Sequence, residues 1–481
     1  MRQKINRKAQ KPSWKSLIGI LTSFLIGVNG LAWEMEPIIF CQATGNQAFV
    51  RMVQDDKDGV YLAWQDKRNG NMDIYAQYYS HGDKERWGKD GVPVCIDPQR
   101  QQYPLIIPGD KGSLLILWQD SRSGDNALFM QKLSVDGKPL WPINGKLAAK
   151  VRVPITYPAI TEDGQGGIVF IWQDGQGNQS GIYAMRVAAD GTHPWGETPL
   201  WIGPTGPESG KPCIINDTQG GVIIIWQYRT EELNQIRAQK LTSQGKLGWG
   251  GGGLIIKDIF NEIAEIQALP DGQGGVILTW EDATNFYYGV YAQRLSSEGK
   301  YLWNPKGVLV GSDPELLYAP QVISDSQGGI IMIWQMEDLQ KINNRLYAQR
   351  VDSKGNTLWQ KNGVTVCQLS KLDILNPLMK PDNQGGVLII WNDSRMGIND
   401  IYIQRLDSKG KPTWESNGRI LCNAPSHQMY PQIAITTSQE AYMAWWDLRS
   451  QKDMNIIGAR INLSNSAGSG NLGDKSAATQ P

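Results

Sequence analysis

The chain has no surplus of either charge. Lysine and arginine total 47 and aspartate and glutamate total 47, so no basic excess draws it to a phosphate backbone, and nucleic acid is excluded as a partner. Histidine is scarce, at 3. His81 and His193 fall in turns and His427 in a loop between repeats on the other side, so they cannot converge on a metal or on a base and nucleophile. No H-E-x-x-H, P-loop or Ser/His/Asp order is present, and no metal or cofactor is expected. Segments with the 3.6-residue apolar period of a helix are also lacking. With 53 Gly and 25 Pro against 7 Phe, turns are frequent and long helices are disfavoured. Yet 41% of the 481 residues are apolar and 20% charged, enough for a sizeable core.

What the chain has instead is tryptophan, 19 in all. One set runs Trp64, Trp118, Trp172, Trp226, Trp280, Trp334, Trp391 and Trp445, in steps of 54 except for one of 57. A second runs Trp87, Trp141, Trp195, Trp249, Trp303, Trp359 and Trp414. Such a period over eight copies marks a repeat architecture. Each unit reads as four strands. In the third, "YPAITED" ends at the turn "DGQGG", "IVFIWQD" is a doubly buried strand, "GIYAMRV" follows, and "THPWGETPLWI" is the last strand. The turn D-x-Q-G-G recurs at Asp163, Asp217, Asp271, Asp325 and Asp382. Four antiparallel strands per unit predict an all-β fold, a single eight-bladed β-propeller. The tryptophans read as mortar between blades, each removing roughly 150–250 Å² from water.

The eighth unit ends in "NSAGSGNLGDKSAATQP" and lacks a fourth strand, and the N-terminus supplies one. "AWEMEPIIFC" aligns with "TWESNGRILC" of the seventh unit, with the same spacing from Trp33 to Cys41 as from Trp414 to Cys422. Trp33 thus completes the second set, and the N-terminal strand completes the last blade, leaving no open sheet edge. Cys41 then shares a repeat position with Cys95, Cys367 and Cys422 and is expected as a buried strand residue, with Cys213 in a first strand. Cysteines in different blades stand too far apart to bridge, so free thiols are expected.

Residues 1–15 carry Arg2, Lys4, Arg7, Lys8, Lys11 and Lys15 and no acid, and "SLIGILTSFLIGVNGLA" follows. Gly30 and Ala32 fit a cleavage site after Ala32. The run of 17 is also the shortest that spans a bilayer, so 1–32 reads either as a signal peptide or as an N-terminal membrane anchor. In both cases the ring is exported, to the periplasm, the cell surface or the medium, and it touches a membrane only if 16–32 stays uncleaved. The expected organisation is 1–32 as export segment, 33–463 as a monomeric eight-bladed ring and 464–481 as a disordered tail.

A W-x-D-x-R pattern appears as "WQDKRNGNMDIYAQ", "WQDSRSGDN", "WNDSRMGINDIYIQ" and "WWDLRSQKDMN". It sets Asp66 with Arg68, Asp120 with Arg122, Asp393 with Arg395 and Asp447 with Arg449, and reads as a loop clamp, the other reading being a repeated ligand site. Arginine in the set disfavours calcium. Units of the form D-x-Q-G-G-x-x-x-x-W-Q-D-x-R … D-I-Y-A-Q-R-L-D-S-x-G-x-x-x-W resemble repeats of bacterial exported β-propellers, akin to the WD40-like repeats of Tol-type periplasmic proteins. The resemblance spans Trp33 to about Leu463 and implies the fold rather than an activity. The turn "SVDGKPLW" is similar to the Asp-box of sialidases, except that Gly137 stands three residues after Ser134 where that motif has four.

Chain direction places the loops between strands two and three and those between blades on one face. Those segments vary ("IDPQRQQY", "GPTGPESGK", "KDIFNEIAE", "GSDPELLYA", "QLSKLDIL"), whereas the other face repeats near-identical turns. Variation on one face of a rigid scaffold marks a binding surface. There the fifth unit replaces the clamp with "EDATNFYYGV", making Phe260, Phe286, Tyr287 and Tyr288 candidates, and the sixth adds Glu337 and Asp338. No first strand is expected to carry an odd Arg or Glu that stands out, so no catalytic residue is assigned. The expected function is a non-catalytic scaffold binding an unknown protein or glycan through this face. The alternatives are a repeated-site carbohydrate-binding lectin and a glycoside hydrolase of sialidase-like architecture.

Overall fold

The computed structural model describes residues 37–464 apart from 83, 125–126, 152–155, 176–179, 207–210, 260–264, 285–286, 339, 341–342 and 371. Within these residues the chain forms eight antiparallel sheets, at 47–95, 101–150, 156–204, 213–258, 267–313, 316–370, 374–422 and 428–462. The last sheet gains Ile38–Cys41 as its outer strand, and the first carries a short extra strand, Lys84–Glu85. The first strand of each blade contacts the first strands of its two neighbours, and the contact from Gln428–Ile435 back to Gln47–Gln54 shuts the ring. The eight-bladed all-β propeller read from the sequence is therefore the fold.

The closing strand pairs Ile38 with Gly458, Ile39 with Ile457 and Cys41 with Ile456. Phe40 and Cys41 are fully buried, and Phe40 packs edge-on to Tyr79 of blade one at 4.8 Å. One short strand thus bridges the first and last blades. Trp33 lies outside the described residues, as do the export segment and nearly all of the tail.

The two tryptophan sets do different work. The first set is essentially inaccessible to water and sits within the second strands. The second set stitches blades together: Trp87 Nε1 donates to Val135 O of the next blade at 2.8 Å, and Trp195, Trp249, Trp303 and Trp359 donate to Ser243, Ser297, Ser353 and Ser408 in the same way. The glycine of the receiving turn lets the indole approach. A Cβ on Gly137, already at φ +75°, would stand 2.7 Å from Trp87 Cγ. Trp195 was expected inside the last strand of blade three, but that strand is only Leu200–Pro204. Pro194 cannot donate to a ladder and Gly196 takes φ +96°, so the indole leads into the strand from a turn.

The D-x-Q-G-G turns are held by their aspartates as much as by their glycines. Asp163 Oδ1 accepts from the amides of Gln165 and Gly167, both at 2.8 Å, while Oδ2 accepts from Arg186 Nε at 2.9 Å. Arg186 then donates to Ser243 O of the next blade. Asp271–Arg294, Asp325–Arg350 and Asp382–Arg405 repeat the pair, with lysine in Asp217–Lys240.

Candidate functional site

The four W-x-D-x-R pairs share one geometry. Asp66 Oδ2 accepts from Trp64 Nε1 at 2.8 Å and Arg68 Nη2 at 2.6 Å, and Oδ1 accepts from the Arg68 amide and Nε, both at 2.9 Å. The guanidinium lies 3.8 Å above the Tyr75 ring and donates to Asp90 O and Cys41 Sγ. Asp120–Arg122, Asp393–Arg395 and Asp447–Arg449 repeat the ion pair, and their arginines reach Cys95, Cys367 and Cys422. Each carboxylate spends its acceptors inside the blade. Burial, before any charge effect, pushes the Cys41, Cys95 and Cys367 thiols up to about 12.

The variable-face candidates fall at two neighbouring blade tips. Tyr287 is 56% exposed and Tyr288 half-buried on the hairpin that joins Val276–Thr284 to Tyr287–Leu295. Glu337 and Asp338 are half-buried at the end of Ile330–Glu337. Phe260 and Phe286 lie outside the described residues.

A site that the sequence reading missed rings the mouth of the central channel. Near the start of most first strands a bulge breaks the register, as between Ala48 and Arg51, Gln102 and Leu105, Tyr318 and Gln321, Leu375 and Leu378, and Met429 and Gln432. The bulge residues Phe49, Tyr103, Ala319, Asn376 and Tyr430 all take positive φ, between +51° and +55°. Repeat spacing adds Tyr157, Lys211 and Glu265 to this ring. The conformation belongs to the blade, since alanine and asparagine share it. The residue identities do not repeat, and their differences make a site.

In blades eight, one and two the ring is aromatic. Tyr430 packs on Trp446 at 4.2 Å, Trp446 on Phe49 at 5.1 Å, and Phe49 edge-on to Tyr103 at 4.9 Å. Phe49, Tyr103 and Tyr430 are 37%, 41% and 44% exposed over a buried Trp446. The indole N–H of Trp446 has no acceptor among the described residues.

Across the ring, blade five carries carboxylates. The residue after each first-set tryptophan is an amide in six blades: Gln65, Gln119, Gln173, Gln227, Gln335 and Asn392. It props the bulge of the same blade or the next: Gln65 Oε1 accepts from the Tyr103 amide at 2.9 Å, and Asn392 Oδ1 from Asn376 Nδ2 at 3.1 Å. In blade five the residue is Glu281. Its Oε1 accepts from the Glu265 amide at 3.2 Å, its Oε2 has no partner among the described residues, and it is 6% exposed. Burial above all pushes its pKa up to about 8, the charge of Glu265 adds to the rise, and the amides of Glu265 and Ala319 oppose it. Glu281 therefore holds a proton at neutral pH, beside the exposed carboxylate of Glu265.

Two other features are weaker. Burial and then Asp393 raise the Asp400 pKa to about 6, but Asp400 stands directly across the strand pair from Asp393, inside the clamp. A cavity of about 260 Å³ on the opposite face is lined by Asp55, Asp56, Asp110 and Glu162. Asp55 and Asp110 are taken up there by Tyr78, backbone amides and Lys132.

No family model and no curated protein matches the chain. Among solved structures, it is similar to a protein of unknown function from Dyadobacter fermentans (13% identity, 88% of this chain and 96% of that one, TM-score 0.38). It is similar to an ulvan lyase (11%, 78% and 97%, TM-score 0.45) and to an α-L-arabinofuranosidase from Fusarium graminearum (11%, 65% and 94%, TM-score 0.37). No family follows from likeness at this level, and none of the three is by name a WD40-like or Tol-type protein. The expectation of a non-catalytic scaffold is corrected because the premise behind it fails. Glu265 and Glu281 do stand out at the head of blade five, and Arg51 stands out in the first strand of blade one.

Proposed function

We propose that the protein is an exported glycan-cleaving enzyme whose active site is the channel mouth. Glu281 is the proton donor, Glu265 the second carboxylate, and the aromatic arc on the far side holds sugar rings. The observation that carries this reading is Glu281 itself, a buried carboxyl at a position made for an amide, with one oxygen unpartnered and a pKa of about 8. A proton retained at pH 7 is what cleavage of a glycosidic bond needs.

In the proposed step the Glu281 proton passes to the glycosidic oxygen as the C–O bond breaks. The Glu265 carboxylate faces the positive charge that develops at the sugar carbon and takes a proton from the water that attacks it. Glu281 ends as the carboxylate and Glu265 as the acid; Glu265 then gives its proton up to solvent and Glu281 regains one from it, which restores the starting state. Tyr287 and Tyr288 extend the same hairpin outward from Glu281, and we include them as walls of the entrance. The basic and apolar segment 1–32 supports export, as does the repeat resemblance to WD40-like propellers. Among the described residues, no helix is long and apolar enough to cross a membrane.

The test is a polysaccharide and oligosaccharide panel assayed for new reducing ends. The reading expects cleavage of at least one member, reduced about 10²-fold or more in Glu281→Gln and in Glu265→Gln. The glutamine at 281 copies five other blades, so it is expected to fold. No cleavage across the panel, or cleavage that survives Glu281→Gln, overturns the proposal.

A further inference from the structure

Arg51 is the next outward-facing residue below Phe49 in the first strand of blade one, with Val50 between them turned into the core. No other blade has arginine at the equivalent position, where Leu105, Ala159, Cys213, Gln267, Gln321, Leu378 and Gln432 stand. Most other arginines of this ring have visible work: Arg68, Arg122, Arg395 and Arg449 close loop clamps, and Arg186, Arg294, Arg350 and Arg405 bind turn aspartates. The Arg51 guanidinium has no hydrogen-bond or ion-pair partner among the described residues. It reaches water yet is crowded by protein, and loss of hydration lowers its pKa. Leaving a cation partly desolvated and unpaired is costly, and a fold with seven neutral alternatives at the same position did not need it.

The aromatic arc begins directly above. Tyr430, Trp446, Phe49 and Tyr103 touch in sequence around three blades, three of them exposed, and the buried Trp446 N–H still lacks an acceptor. An aromatic face covers the C–H side of a sugar ring, and a guanidinium pairs with an anionic oxygen group in the plane beyond it. The two features together select for a ring that carries a charge.

We infer that the arc and Arg51 form an acidic-sugar subsite, in which a glycan ring stacks on Phe49, Tyr103 and Tyr430 while its carboxylate or sulfate group pairs with Arg51. This rests on the reading of the mouth as a glycan site and names the class of glycan. The subsite lies in blades eight, one and two, across the ring from Glu281 in blade five, so the charged ring and the bond that is cut belong to different parts of the substrate.

The test is binding, not turnover, measured calorimetrically on the full ring carrying Glu281→Gln. The probes are tetragalacturonate, its fully methyl-esterified form, and a sulfated carrageenan tetrasaccharide. The inference expects at least one charged probe to bind about tenfold or more tightly than the ester, and which of the two it is identifies the anionic group. Arg51→Met should erase that preference while leaving the weak binding of the ester in place. Tyr430→Asn, which copies the residue at the equivalent bulge of blade seven, should weaken charged and neutral probes alike, and Arg51 should still discriminate. Equal binding of ester and acids, a preference that survives Arg51→Met, or no binding of any probe overturns the inference. Because the protein tested cannot use Glu281 as an acid, a charged preference found here alongside an inactive wild type would count against the proposed catalysis alone.

Discussion

At the scale of single residues, position in the repeat decides chemistry. The amide that follows the first-set tryptophan in six blades is a structural prop, and changing one oxygen-bearing group for another turns the prop into an acid. Replacing Glu281 with glutamine should therefore stabilise the protein, with a definite pH signature. The folded pKa of about 8 lies above the ordinary value of 4.5, so the folded state binds the extra proton between those limits. Stability is full below about 4.5 and falls as pH rises towards 8. The Glu281→Gln variant loses that fall, so its melting temperature should exceed that of the wild type by a margin that grows from pH 5 to pH 8. At pH 9 the gain is roughly 3–5 kcal/mol. A constant margin across the range would show that Glu281 carries no buried proton. This residue was legible in principle, since one carboxyl stands among six amides in an aligned column. Its signal is one change at a strand position, easily masked by the much larger variation of the loops.

Among elements, the second-strand-to-third-strand loop shows how a local motif becomes a fold constraint. The clamp needs aspartate two residues after the tryptophan and arginine two residues later, and blades one, two, seven and eight meet that rule. In blade four Tyr228 takes the aspartate position, and the Trp226 indole donates to Pro204 O at 2.8 Å instead. Asp66→Ala leaves the Trp64 N–H without its acceptor and the Arg68 guanidinium without its carboxylate, 2.8 and 2.6 Å away in the wild type. Breaking a buried pair by removing one partner is expected to cost about 3 kcal/mol, read as a lower denaturation midpoint. Turn spacing and the doubly buried second strands were open to sequence reading. The first-strand bulge was not, because positive φ in Phe49, Tyr103 and Tyr430 leaves no residue-type signature when alanine and asparagine do the same.

The whole molecule is a ring closed by four residues, Ile38–Cys41, on a strand from the far end of the chain. A protein starting at Asn46 loses that strand and bares the edge of Asn455–Asn462, so its melting temperature should fall well below that of one starting at Trp33; equal values would mean that closure contributes nothing. Closure also explains why a repeat protein can hold a site at all. Eight near-equivalent blades converge on one mouth, and equivalence makes any departure meet its opposite number across the channel: carboxylates at blade five, aromatics around blade one. The account turns on the proton that Glu281 keeps there, and the other seven blades serve as internal controls. Difference infrared spectroscopy of wild type against Glu281→Gln, followed across pH, measures that proton without any substrate. The account predicts a protonated-carboxyl band present at pH 7 and lost near pH 8, whereas a band that disappears between pH 4 and 5 would contradict it.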